Sequence, residues 1–149
     1  METPRTSAFH TTPGNFAERV GVELNRAERY RVFVSITTLD LKAVKNLAGD
    51  GAAEICDRLM ETVNGSVRAC DYVALLEDSC LAMLFPETPR QGAEIASRRL
   101  AGIIRDKVLE LTGHAADGLI PVEIVSYPDT AGAKTLDRFL EDLAQRSRN

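Results

Sequence analysis

The order of apolar runs along this chain predicts an α+β domain of the ferredoxin-like, split-βαβ kind, with a central, mainly antiparallel sheet flanked by helices. Two observations carry that expectation. Segments with helical spacing alternate with β-branched runs in the order helix, strand, helix, strand, strand, helix, strand, helix. In the middle, YVALLEDSCLAMLF (72–85) reads as a β-hairpin: two apolar runs, 72–76 and 80–85, around a polar Glu77-Asp78-Ser79 turn. With 149 residues the chain is long enough for one domain with a substantial core.

Residues 1–14, METPRTSAFHTTPG, are rich in Thr, Ser and Pro without hydrophobic period, and read as a flexible leader. The domain is expected over 15–149. Phe16, Val20, Leu24 and Ala27 recur every three or four residues, predicting an amphipathic helix over 15–30 with Asn15 as its cap. RVFVSITTL (31–39) is β-branched and aromatic, hence a strand. Helical spacing returns over 51–67, with Ile55, Leu59, Met60 and Val63 on one face. After the hairpin, 88–109 reads as a long helix turning Ala93, Ala96, Leu100 and Ile103 or Ile104 inward. PVEIVSY (121–127) is a further strand, and 135–145 a closing helix. Leu59, Val73, Leu84 and Leu100 are expected in one core.

Charge and composition narrow the function. A net charge of −4 argues against non-specific binding to nucleic acid or acidic membranes. No apolar run reaches the roughly 18 residues of a membrane span. The three cysteines, Cys56, Cys70 and Cys80, have no metal-type spacing and read as isolated thiols in a cytoplasmic protein, with Cys70 and Cys80 expected as buried free thiols near the hairpin. His10 and His114 fall in expected loops far from clustered acids or cysteines, so neither is a metal candidate.

The stretch ELNRAERYRVFVSITTLDLKAVKNLAGDGAAEICDRLMETVNGSVRACDYVALLEDSCLAMLFPET resembles, almost without gaps, the GGDEF domain of diguanylate cyclases. That family joins two GTP molecules into cyclic di-GMP. Its pattern runs from a D-x-D-x-F-K-x-x-N-D strand end through G-H-x-x-G-D and R-x-x-D to the GGDEF hairpin. Here Arg68 and Asp71 sit at the family's distance ahead of Glu77. The resemblance covers roughly residues 16–145 and is weakest in the last third.

The resemblance implies a catalytic site whose parts are missing. In the family, carboxylates at the end of the first strand and in the hairpin hold Mg²⁺, a hard ion that wants oxygen ligands. The strand-end position falls on Thr37 and the hairpin acids on Ser79 and Cys80, none of which carries a carboxylate. The signature glycines become Glu77 and Asp78, which would repel phosphate. The guanine-contacting Asn and Asp become Lys45 and Glu54. With EDSCL in place of GGDEF, no metal, cofactor or catalytic residue is expected. A one-residue shift would bring Asp40 toward the metal position, with Glu77 or Asp78 as substitute ligands, and that is the basis of a residual cyclase as one alternative.

What survives is Arg68-Ala69-Cys70-Asp71, matching the family's product-inhibition motif. The resemblance implies that Arg68 and Asp71 contact cyclic di-GMP, with Arg99 as the second arginine and Arg98 beside it. The plainer reading is a local Arg68–Asp71 pair. The function expected is a non-enzymatic signalling adaptor with a protein partner, reading cyclic di-GMP at Arg68, Asp71 and Arg99; a dedicated cyclic di-GMP receptor is the other alternative. The helix over 15–30 is expected to pack on its own domain, with homodimerisation as its other use.

Overall fold

Residues 72–76 and 80–86 are apolar at almost every position, so these strands need cover on both faces of a sheet. The computed structural model describes residues 9–10, 12–76, 79–128, 140–141 and 145. Strand β1 (Phe9–His10) is followed by α1 (Pro13–Tyr30), β2 (Val34–Asp40), α2 (Lys42–Ala48), a 3-10 turn (Gly49–Gly51), α3 (Ala52–Asn64), β3 (Tyr72–Leu76), β4 (Cys80–Pro86), α4 (Arg90–Thr112) and β5 (Val122–Tyr127). The strands form one sheet in the order β1-β3-β4-β2-β5. Its β3-β4-β2-β5 part is antiparallel throughout, and β1 lies parallel to β3. The expected α+β, split-βαβ fold is thus the observed one.

Each face of the sheet has its own core. On one side, Leu59 and Val63 of α3 and Leu100 and Ile104 of α4 pack with Leu39, Val73, Leu81 and Met83. On the other, Phe16, Val20 and Ala27 of α1 pack with Ile36, Ala74, Ala82 and Leu84. Full burial of an aliphatic or aromatic side chain contributes about 1.5–3 kcal/mol, so α1 is held firmly to its own sheet.

Leu84 therefore belongs to a different core from Leu59, Val73 and Leu100, contrary to the expectation of one core. The hairpin register is the reason. Tyr72 pairs with Leu84 and Val73 with Met83, so period-two alternation sends Val73 and Leu84 to opposite faces.

Local chemistry moves several other boundaries. Phe9–His10, assigned to the leader, pairs with Tyr72 and Val73 at the sheet edge. Thr12, not Asn15, caps α1: its hydroxyl accepts the Asn15 N–H at 3.2 Å, and Pro13 takes the first turn. α2 was not anticipated from the sequence, because only Val44 of its seven residues is buried and the periodic signal is short. α4 runs on to Thr112, where Gly113 at φ 76° supplies the left-handed stop. Cys80 is buried as expected and Cys56 is buried too, but Cys70 is exposed, contrary to expectation. The expected helix over 135–145 lies mostly outside the described residues; Leu140 packs against the α1-side core. No helix among the described residues is long and apolar enough to cross a membrane.

Candidate functional site

The β2–β4 register decides what stands at the end of the sheet. Asp40 closes β2 opposite Cys80, while Thr37 lies three positions inward opposite Met83. Thr37 is fully buried and its hydroxyl shares a 2.9 Å hydrogen bond with Ser97 on α4. The sequence alignment gave Thr37 a strand-end position, but it is a mid-strand residue and the strand ends at Asp40.

Asp40 is exposed, and its Oδ1 accepts the Lys42 N–H at 2.9 Å, an Asx-type turn that starts α2. The Leu41 N–H donates to the Ser79 carbonyl at 2.7 Å and the Asp40 N–H to the Pro121 carbonyl at 3.0 Å. These bonds pin three chain segments around a cleft of about 510 Å³ lined by Asp40, Lys42, Ser79, Cys80 and Glu123. Glu77 and Asp78 lie outside the described residues.

Other aligned positions are not brought to this cleft. Glu54 is exposed on the first turn of α3, 3.9 Å from Arg58, and lines a separate cleft of about 420 Å³ with Leu47, Leu111 and His114. Lys45 is half-buried on α2 and lines neither cleft. Among the described residues, the strand-end cleft is lined by two carboxylates, Asp40 and Glu123. Thr37 is engaged in the core, Ser79 and Cys80 offer no carboxylate, and no group of three or more metal-binding side chains exists among the described residues.

The R-x-x-D turn is built differently. Asp71 is 1% exposed, yet it lies between two elements where a carboxylate needs partners. The Arg68 backbone N–H donates to its Oδ2 at 2.8 Å and the Arg68 Nη2 to its Oδ1 at 3.1 Å. That same Nη2 donates to the Thr88 hydroxyl at 2.6 Å and the Pro86 carbonyl at 3.3 Å, just before α4. The Arg68 guanidinium is held above its ordinary pKa: burial opposes its charge, but the hydrogen bond and charge of Asp71 outweigh that. The Arg68 side chain nevertheless remains 56% exposed.

Sequence reasoning missed Thr88, because nothing local in R-x-x-D points to a hydroxyl 20 positions on. It also missed Glu87, which takes Arg26 of α1 at 3.0 Å and so joins α1 to the same end of the sheet. Arg99 is exposed on α4, nine residues beyond Arg90 and hence roughly 13 Å along the helix axis. It has no hydrogen bond or ion pair to Arg68 or Asp71 among the described residues.

No family model matches this sequence, and no curated protein matches it either. Solved structures do. A diguanylate cyclase protein from Thermotoga maritima superposes with a TM-score of 0.60 at 18% identity, over 95% of this chain and 96% of that one. The GGDEF domain of YfiN (TpbB) from Pseudomonas aeruginosa gives 0.64 at 19% identity, over 94% and 88%. The chain has a GGDEF-like fold.

PelD from P. aeruginosa, in complex with c-di-GMP, gives 0.58 at 19% identity over 89% of this chain and 44% of that one. In the hairpin, Ser79 leads into Cys80 at the start of β4, and Leu81 is buried in the core on the α3–α4 side.

Proposed function

We propose that this chain is a catalytically inactive GGDEF-like domain that serves as a signalling adaptor through protein–protein contacts. The observation that carries the reading is at the strand-end cleft, where Ser79 and Cys80 occupy the hairpin positions that the resemblance gives to metal-binding acids. Ser79 and Cys80 at the hairpin add no acid, and the Asp40 carboxylate is engaged by the Lys42 N–H. A residual cyclase would have to assemble its metal ligands from Asp40, Glu77 and Asp78. Incubation with GTP and Mg²⁺ or Mn²⁺ tests this directly: the adaptor forms no cyclic di-GMP above a heat-killed control.

A second reading is favoured by a separate observation. Arg68 keeps more than half of its side chain exposed while Asp71 orients it, and the fold neighbour PelD is seen with c-di-GMP. On this reading Arg68 and Asp71, with Arg99 from α4, receive cyclic di-GMP, and the adaptor reports its presence. Calorimetric titration with cyclic di-GMP and GTP separates the two, since a plain adaptor takes up neither.

A further inference from the structure

We propose that the outer edge of β5, with the arginine-bearing face of α4 beside it, docks an extended segment of a partner protein whose side chains alternate acidic and apolar. The proposal rests on the adaptor reading and names the surface such an adaptor would use. Among the described residues β5 is the terminal strand of the sheet, with β2 on its inner side. A terminal antiparallel strand turns alternate N–H and C=O groups outward, and an added strand satisfies them. Arg90 Nη1 already donates to the Ile124 carbonyl at 3.1 Å, so the backbone of this strand takes up donors from outside the β2 ladder.

Between α4 and β5 runs a groove of about 420 Å³, lined by Glu94, Arg98, Ala101, Arg105, Val122 and Ile124. Its floor is apolar, and Val122 is 43% exposed. Its α4 wall is basic. Arg98 has no ion pair among the described residues, and Arg105 is 3.6 Å from Asp117, whose side chain is 87% exposed and whose hold is accordingly weak. Glu94, the one acid in the groove, is matched by Arg90 at 3.7 Å. Ile95, 61% exposed one turn before Arg98, extends the apolar surface on α4. An added strand presents every second side chain to this wall. Acidic residues at every second position meet Arg98 and Arg105 above the apolar floor of Val122 and Ile124.

The test uses the full chain and two labelled synthetic peptides, one alternating glutamate with valine and one alternating lysine with valine. Fluorescence anisotropy should show saturable binding of the glutamate peptide and none of the lysine peptide. Arg98→Glu, at an exposed position, should weaken binding by about tenfold or more, as reversal of a complementary charge does. Amide exchange within 122–124 should slow when the glutamate peptide is bound. Equal binding of both peptides, no saturable binding, or an Arg98→Glu affinity equal to wild type overturns the proposal. So does sedimentation as a dimer that Arg98→Glu disperses, which would give the edge to a second copy of the chain. GTP turnover by the same preparation would overturn the adaptor reading by itself, whereas peptide failure in a turnover-silent preparation overturns only the docking surface.

Discussion

Asp71 lies beneath Arg68 with both carboxylate oxygens taken by that residue, Oδ2 by its backbone N–H at 2.8 Å and Oδ1 by its Nη2 at 3.1 Å. The pair is asymmetric: the Asp71 side chain is 2% exposed and the Arg68 side chain 56%. Water can replace what the arginine loses, but not what the aspartate loses. The turn from α3 into β3 is thereby closed and tied through Thr88 to the start of α4.

That asymmetry predicts unequal costs. Arg68→Ala strands a buried carboxylate and should destabilise by about 1–3 kcal/mol, discounted from a fully buried pair because the guanidinium is half in water. Asp71→Asn keeps an acceptor for the Arg68 N–H and should cost less. Urea titration of both variants is the check; the reverse order would mean that the backbone contact, not the ion pair, holds the turn.

Cyclic di-GMP should bind the wild-type chain while GTP does not, if the surviving R-x-x-D turn is a ligand site. Arg68→Ala should then lose about 1.5–3 kcal/mol of binding, roughly ten- to a hundredfold, as removal of a charge-assisted contact does. Asp71→Ala should also weaken binding, and Arg99→Ala less, because Arg98 is adjacent. Calorimetry at a urea-verified folded fraction reads all three. No heat and no saturation for wild type would leave Arg68–Asp71 as a structural pair.

Restoring an acid at position 37 should not restore chemistry. Thr37 is buried mid-strand against Ser97, so Thr37→Asp places an unpaired charge in the core. It should cost roughly 3–5 kcal/mol and yield no cyclic di-GMP from GTP. A stable, active Thr37→Asp protein would show that this position reaches solvent and metal.

Leu59→Ala and Leu84→Ala should each cost about 2–5 kcal/mol. They lie in cores on opposite faces of the sheet, so the double variant should equal their sum within roughly 0.5 kcal/mol. A strong departure from additivity in denaturant titrations would mean the two cores respond as one.

The sequence by itself determined the elements that rest on long apolar periods. The spacing of Phe16, Val20 and Ala27 made α1 legible, the two apolar runs around 77–79 made the hairpin legible, and Leu100 and Ile104 did the same for α4. Their sequence order also determined the split-βαβ topology, because short connections and antiparallel pairing leave few alternatives. R-x-x-D was visible as a pair because its two residues are three apart. What only the tertiary structure decided depends on register and on contacts distant in sequence. A shift of one residue reverses every side chain of a strand, so the sequence pattern could not assign Leu84 to the α1 side or Thr37 to the interior beside Ser97. Phe9–His10 has too few residues for a period, and its place comes from pairing with Tyr72 and Val73. Thr88 became the third member of the Arg68–Asp71 turn because β4 carries it back across the sheet. No local pattern records that return.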